Sequence, residues 1–263
     1  MPIKWFSLSR DRTYLLLLSA EQPGDFPALP HAGKVMQGVK HALLNFSVRE
    51  ADVYELGGKK TTLAGIREML AEMKEALNKG DRLIVAVSMQ SLREGKLYWL
   101  PADARKGQPK TWLPVEEFLN FLQEAPARNV MGLIDAGFPA EELEKEEKPA
   151  GKGRSRHLIC SGVELPSRYE EEYEARFEFW KTAIDFLREP GNDSVSGKEL
   201  GEEISSTGPY LTDFQPPQTG WLKQENFRTI DFELKRSKKS RPAFELDKLE
   251  DFSTHKKIEI PDI

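Results

Sequence analysis

The chain has 263 residues, of which 39% are hydrophobic and 31% are charged, so it can form one large domain with a core. Its formal net charge of −5 argues against a general attraction to nucleic acid or to anionic lipid. The longest strongly apolar run, YLLLL at 14–18, is much shorter than the ~20 residues of a membrane span, and the amino terminus has no apolar signal core. One cysteine, Cys160, excludes an internal disulfide, and we expect a soluble, cytoplasmic protein.

The first half of the chain alternates between strand and helix patterns. Apolar or β-branched runs predict strands at 13–19, 51–57, 81–88 and 128–136, with a β-arm at 96–103. Apolar residues at three-to-four spacing predict helices at 34–46, from Thr61-Thr62 to about Gly80, and at 113–125. Because the connections are long enough for crossovers, we expect a mainly parallel sheet with helices on both faces.

The composition changes after residue 140. The segment 141–156 is acidic and then basic, with almost nothing to bury, which predicts an exposed, mobile loop. Beyond it, the patterns predict a strand at 157–162, helices at 170–189 and 196–206, and a last strand at 226–234. From residue 235 to 263 the chain is polar, and we expect an extended tail.

The order of these segments resembles the caspase-like fold of the metacaspase and prokaryotic caspase group, over nearly the whole chain to about residue 234. Four stretches of the first half carry the resemblance: YLLLLSAEQPGDFPALPHAGKVMQGVKHAL, TTLAGIREMLAEMKEALNKGDRLIVAVS, LYWLPADAR and ARNVMGLIDAGFPA. The second half continues it with HLICSG, FEFWKTAIDFLRE, SVSGKELGEEIS and the pair Gln218-Thr219, followed by a closing strand.

The resemblance implies a three-layer α/β sandwich around a mostly parallel, six-stranded sheet. Residues 1–140 then correspond to the larger-subunit part of the fold, and 157–234 correspond to the smaller-subunit part. The loop at 141–156 falls where members of the family are often cut.

The resemblance also implies that both catalytic positions have lost their working groups. Where the active family has Ser-Gly-His-Gly, this chain has Ser88-Met89-Gln90-Ser91, and where the family has Asp-Ala-Cys-His-Ser-Gly, it has Asp135-Ala136-Gly137-Phe138-Pro139-Ala140. Gln90 and Gly137 therefore occupy the histidine and cysteine positions, 47 residues apart. Glutamine cannot transfer a proton near neutral pH and glycine has no nucleophile, so we expect no cysteine proteolysis at this cleft.

Asp135 is the candidate for a remnant binding cleft, together with Ser88 and Ser161. In metacaspase-like enzymes the aspartate before the cysteine helps to form an acidic pocket for the Lys or Arg of the substrate. An inherited strand-end residue that is hydrogen-bonded to a loop is an equally good interpretation. Lys34-Val35 stands where the family has Asn-Asp, which weakens the case for the pocket.

No metal and no cofactor is predicted. The stretch SLREGKLYW lacks the aspartates that calcium-binding metacaspases carry after their histidine. The basic tail, 235–241, has only five basic residues on an acidic protein, so we expect no nucleic-acid binding.

These observations predict a catalytically inactive caspase-like protein, a pseudoprotease, that acts by binding a protein partner. We expect a regulator, inhibitor or scaffold for an active caspase-like protease in a prokaryotic signalling or defence system. One alternative is a substrate that a companion protease cuts after Lys or Arg within 145–156, at Lys152, Arg154 or Arg156. Another is a cryptic hydrolase with a relocated nucleophile, with candidates Ser88, Ser91, Cys160 and the histidines His31, His41, His157 and His255.

Overall fold

The computed structural model of the chain describes residues 11–145, 153–161, 170–207, 217–223 and 232–237. Within these ranges the strands, in chain order, are β1 (Thr13–Ser19), β2 (Val53–Gly57), β3 (Arg82–Ser88), β4 (Ser91–Glu94), β5 (Lys96–Trp99), β6 (Leu113–Pro114), β7 (Asn129–Asp135), β8 (Leu143–Glu144), β9 (Ser155–Cys160), β10 (Ser194–Ser196), β11 (Gln218–Leu222) and β12 (Glu233–Lys235). The α-helices are α1 (Ala32–Leu43), α2 (Leu63–Ala76), α3 (Val115–Glu124), α4 (Glu170–Arg188) and α5 (Gly197–Thr207).

A central sheet of the described residues has seven strands in the order β2-β1-β3-β7-β9-β11-β8. The five strands from β2 to β9 are parallel, whereas β11 runs antiparallel to β9 and β8 antiparallel to β11. The predicted mixed α/β architecture with a mostly parallel sheet is confirmed. The predicted set of six strands is wrong in two respects. The strand next to β9 is β11, whereas the described part of the strand predicted over 226–234 pairs with β10, and Leu143–Glu144 adds a seventh strand outside β11.

Helices cover both faces of this sheet and bury it completely at its centre. Leu16 and Leu18 of β1 belong to the same apolar cluster as residues of α2 and α3. Leu15 and Leu17 belong to the opposite cluster, with residues of α1, α4 and α5. The continuous leucine run of β1 follows from this arrangement, since a strand that is covered on both faces needs apolar residues at every position.

The start of α2 shows how local sequence fixes an element boundary. The Thr62 side chain accepts a hydrogen bond from the Gly65 backbone N–H at 3.1 Å, which satisfies one of the donors that a helix leaves unpaired at its amino terminus. The helix begins at Leu63, as the Thr61-Thr62 signal predicts. Its buried residues Ile66, Leu70 and Met73 lie at helical spacing and face the sheet.

The exposed loop predicted over 141–156 needs correction at both ends. Leu143–Glu144 forms β8, and β9 begins at Ser155. Arg156 is fully buried, and its guanidinium donates to the backbone oxygens of Leu122 at 2.6 Å and Ala125 at 2.7 Å. Arg156 therefore occupies the carboxyl end of α3, where unpaired carbonyl groups favour a cation.

The predicted tail also joins the fold at its start. β12 pairs with β10 in a separate two-stranded sheet, and Arg236 donates to the backbone oxygens of Asn192 at 2.9 Å and Glu189 at 2.7 Å. Most of the strand predicted over 226–234 lies outside the described residues, as do Lys152 and His255. No helix in the described part of the chain is long and apolar enough to cross a membrane.

Candidate functional site

The site lies at the carboxyl ends of β3 and β7, which are neighbours in the sheet. Ser88 and Asp135 are register partners on these two strands. Gln90 follows the end of β3 by two residues, and Gly137 follows the end of β7 by two. This edge of a parallel sheet is where α/β proteins place their ligands and catalytic groups.

The Gly137 peptide is held on both sides by the β4–β5 hairpin. Its N–H donates to Ser91 Oγ at 3.0 Å, and its carbonyl accepts from Trp99 Nε1 at 2.8 Å. Ser91 and Trp99 are themselves directly paired across the hairpin. One cross-strand pair therefore contacts residue 137, the position that the resemblance assigns to the nucleophile.

This close approach leaves no space for a side chain at residue 137. A Cβ atom built on Gly137 would lie 2.6 Å from Ser91 Oγ, 3.0 Å from Ser91 Cβ and 3.1 Å from Leu97 Cδ1. The first of these separations is shorter than van der Waals contact allows, so any larger residue would force Ser91 to move. Glycine at this position matches the local packing.

Gln90 is enclosed as well, with no exposed surface. Its backbone carbonyl accepts a hydrogen bond from the Leu100 N–H at 2.9 Å, which joins the end of β3 to the end of the hairpin. Gln90 and Gly137, which the resemblance assigns to the catalytic positions, are thus both covered by the chain itself.

Asp135 lies in a buried polar network. Its Oδ2 accepts hydrogen bonds from Ser88 Oγ and from Trp180 Nε1, both at 2.9 Å. Its Oδ1 lies 3.0 Å from Arg176 Nε, as an ion pair that is not aligned as a hydrogen bond. The basic side chain beside Asp135 is therefore Arg176 of the chain's own helix α4.

Arg176 also fixes the backbone around the site. Its Nη2 donates to the carbonyl of Met89 at 2.8 Å and to that of Asp135 at 3.2 Å. The side chains of Arg176 and Asp135 are only 3% and 1% exposed. Since a buried charge is costly unless it is paired and hydrogen-bonded, the two groups depend on each other.

The third residue predicted for the cleft, Ser161, follows the carboxyl end of β9. Its backbone N–H donates to the Ile134 carbonyl at 2.9 Å, which places it just past the end of β9, near Asp135. The structure brings Ser88 and Asp135 into direct contact, whereas Ser161 is a neighbour in the sheet. Lys34, at the position of the family's Asn-Asp pair, is exposed on α1.

The candidates for a relocated nucleophile are buried. Cys160 is enclosed in the apolar core, and burial raises the pKa of its thiol, which disfavours the reactive thiolate. The hydroxyl of Ser88 donates to Asp135, and that of Ser91 accepts from the Gly137 N–H. These contacts engage both hydroxyl groups in structural hydrogen bonds.

The histidines have separate structural surroundings. His157 stacks on Trp221 with ring centroids 4.7 Å apart, and its Nε2 lies 3.0 Å from Thr219 Oγ1. His31 makes an edge contact with Phe177, and His41 is exposed in the last turn of α1. Among the described residues, no three His, Cys, Asp or Glu side chains are grouped so that they could hold a metal ion.

Sequence reasoning missed Arg176 and Trp180, although a signal was present. Both lie in the segment predicted as a long helix, four residues apart, so they share one face of α4. An arginine on the face of a helix that packs against a sheet needs buried acceptors, of which a carboxylate also balances its charge. Asp135, at the end of a fully buried strand, is such a carboxylate.

No protein-family model and no curated protein sequence matches the chain. Among solved structures, the Drosophila initiator caspase Dronc is similar over 80% of this chain and 79% of its own, with a TM-score of 0.54 and 9% identity. The chain has a caspase-like fold. Protein GSU0716 from Geobacter sulfurreducens is similar over 82% of this chain and 98% of its own, with a TM-score of 0.53 and 14% identity.

The predicted caspase-like fold is therefore confirmed, and at these identities the likeness concerns the fold alone. The hairpin contacts on Gly137 and the Asp135–Arg176 ion pair are observed in this chain and do not depend on its similarity to these structures.

Proposed function

We propose that this caspase-like protein acts by binding a protein partner and does not hydrolyse peptides. The observation that carries the proposal is the enclosure of Gly137, whose backbone is held by Ser91 and Trp99 with no space for a side chain. A cysteine protease needs a thiolate at this point and an imidazole beside it. At these two positions, this chain has Gly137, whose backbone is covered by the β4–β5 hairpin, and the buried Gln90.

The surroundings of Asp135 support the same proposal. A Lys or Arg of a substrate would have to displace Arg176 from the carboxylate. That exchange would leave the Arg176 guanidinium buried without its counter-ion, which is strongly unfavourable. Asp135 therefore serves the fold rather than the recognition of a basic substrate side chain.

The partner that we propose is an active caspase-like protease, for which this chain would be a regulator, inhibitor or scaffold in a prokaryotic signalling or defence system. This part of the proposal rests on analogy with the fold and on the retention of the fold without the chemistry. In the described residues, apolar clusters cover both faces of the seven-stranded central sheet.

A hydrolysis assay tests the proposal. The purified chain is incubated with fluorogenic peptides that end in Arg or Lys, beside Cys160→Ala and Ser88→Ala variants. We expect no turnover above the background from any of the three proteins, because both side chains are buried and engaged in the fold. Turnover by the wild-type chain that disappears in either variant would contradict the proposal and favour a cryptic hydrolase.

If the chain is instead a substrate of a companion protease, fewer of the predicted cleavage sites are accessible. Arg156 is buried and Arg154 is partly buried, whereas Lys145 is exposed at the end of the described segment. Proteolysis of folded chains occurs at exposed backbone. A cut that leaves the fold intact is therefore expected upstream of Arg154.

A further inference from the structure

A partly exposed apolar surface lies on the small sheet β4-β5-β6. Leu92 and Tyr98 are paired across the β4–β5 hairpin and are both partly exposed. The Tyr98 ring makes an edge contact with Trp112 at 5.4 Å, and Phe26 contacts the same tryptophan at 5.9 Å. Phe26, Leu92 and Tyr98 thus pack against the small buried cluster that contains Trp112, and all three keep some surface in solvent.

Three exposed cations lie on the loop beside these rings, at Arg105, Lys106 and Lys110. The loop is fixed against the rings, because the Trp112 indole donates to the Arg105 carbonyl at 2.9 Å. Within the part of the chain that the structure describes, none of the three cations forms an ion pair. We name the six residues Phe26, Leu92, Tyr98, Arg105, Lys106 and Lys110 the Tyr98 face.

The carboxylates near this loop are already engaged in the fold. Asp25 accepts a hydrogen bond from the Lys106 backbone N–H at 3.2 Å, and Asp103 accepts from the Leu63 N–H at 2.8 Å. Glu116 forms an ion pair with Lys96 at 2.8 Å. A hydrogen bond from a backbone N–H leaves a carboxylate charged, so Asp25 and Asp103 offset part of the charge of the three cations. The loop keeps a small net positive charge for a partner.

We infer that the Tyr98 face binds an extended, acidic segment of a partner protein that carries an apolar anchor side chain. The aromatic rim supplies the contact area that dominates binding energies at protein interfaces. The three cations supply charge complementarity, which attracts an acidic segment and orients it.

Two further observations concern the class of partner and the position of this surface. The overall charge of −5 opposes any polyanion equally, so the preference for a protein segment over nucleic acid rests on the apolar rim, which suits an apolar anchor side chain. The Leu100 N–H, at the base of the hairpin, donates to the Gln90 carbonyl, so the face lies beside the closed site. The inference rests on the proposed function, since it names the partner chemistry of a binding protein.

Fluorescence anisotropy tests the inference with a labelled decapeptide of glutamates around a central phenylalanine, at low ionic strength. The test variant is Lys106→Glu/Lys110→Glu. The matched control is Lys59→Glu/Lys79→Glu, which makes the same change in net charge at exposed lysines elsewhere. A glycine-centred acidic peptide, a polylysine peptide and a single-stranded oligonucleotide complete the set.

We expect the phenylalanine-centred acidic peptide to bind, with affinity that falls as salt screens the charges. The Lys106→Glu/Lys110→Glu variant should weaken it roughly tenfold, and Lys59→Glu/Lys79→Glu should leave it within about twofold. The glycine-centred peptide should bind more weakly.

Three results would overturn the inference: no binding of the acidic peptide, equal losses in both double variants, or tighter binding of the oligonucleotide. Any of these would remove the Tyr98 face as the docking surface. The hydrolysis assay, which does not depend on this peptide, decides separately whether the chain is a non-proteolytic binding protein.

Discussion

At the scale of single residues, the Asp135 carboxylate accepts from Ser88 and Trp180 and lies 3.0 Å from the Arg176 guanidinium. Replacement of Asp135 by Asn keeps the size of the side chain and removes its charge. We expect a loss of about 3–5 kcal/mol in the free energy of unfolding, because Arg176 is then a buried cation without a partner. Urea denaturation followed by circular dichroism measures the change.

A matched control uses an ion pair in solvent. Glu117 and Arg67 form a pair at 2.7 Å with side chains 39% and 51% exposed, so Glu117→Gln should cost no more than ~1 kcal/mol. Adding Arg176→Met to Asp135→Asn should recover part of the loss, since no buried charge is then left unpaired. If Asp135→Asn costs as little as Glu117→Gln, the ion pair does not stabilise the fold.

Arg156 gives a second prediction at this scale. Its guanidinium donates to the Leu122 and Ala125 carbonyls at the end of α3, and burial lowers its pKa to about 9, so that it remains a cation at neutral pH. Arg156→Met keeps the aliphatic stem and removes the donors. We expect a loss of about 2–4 kcal/mol, because buried carbonyls lose their hydrogen bonds.

The control for Arg156→Met is Arg105→Met, at an exposed arginine, which should change stability by less than about 0.5 kcal/mol. The wild-type chain should also resist trypsin after Arg156 under native conditions. Early cleavage there, detected by mass spectrometry, would show that the amino end of β9 opens more readily than its burial implies.

The sequence could predict residues whose role follows from local pattern, and it failed for those whose partner is distant along the chain. The resemblance predicted that Gln90 and Gly137 follow two strand ends, and the structure has both residues just after neighbouring strands. The basic run that ends at Arg156 looked like a solvated loop, because its carbonyl partners lie about thirty residues earlier. Asp135 and Arg176 are 41 positions apart and come together only when α4 packs on the sheet.

At the scale of elements, the β4–β5 hairpin covers the end of β7 through Ser91 and Trp99. Gly137→Ala should destabilise the chain by about 1–3 kcal/mol, since its methyl group meets Ser91 in a packed site. The loss should shrink in a Ser91→Gly background, where that obstacle is absent. A double-mutant cycle by urea denaturation measures the coupling between the two positions.

Gly191→Ala is the control for this cycle. A Cβ atom at Gly191 would have no neighbour within 4 Å, so the substitution should be neutral or slightly stabilising. Equal costs for Gly137→Ala with and without Ser91 would mean that the hairpin does not restrict residue 137.

The elements themselves were largely predictable, because buried parallel strands give continuous apolar runs and amphipathic helices give a clear period. The five parallel strands of the central sheet all fall within two residues of their predicted bounds. Two strands of the central sheet, β11 and β8, were not predicted, and β8 has only two residues in an acidic context. So short an element is defined by its partner Trp221–Leu222 rather than by its own pattern.

At the scale of the whole molecule, the two parts that flank residues 146–152 share both apolar layers. Leu158 and Leu222 join the cluster of α2 and α3, and Phe179 and Trp180 join the cluster of α1. β9 also pairs with β7 along six consecutive positions. The two apolar clusters and the central sheet therefore hold the early and late parts of the chain together.

A chain cut within 146–152 should accordingly stay together. A specific protease site inserted there should yield two fragments that co-elute as one species of the original 29.9 kDa under native conditions. They should separate in concentrated urea, which solvates the apolar surfaces. The uncut protein with the same insertion is the control, and separation of the fragments in native buffer would contradict the prediction.

The indole of Trp180 makes the closed site observable by spectroscopy. Its proton is buried and bonded to Asp135, so it should exchange with deuterated solvent far more slowly than an indole proton at the surface. The chain has five tryptophans, few enough for each indole resonance to be assigned by substitution. The protection of this one proton then gives the free energy of opening at the end of β7, with no substrate or partner required.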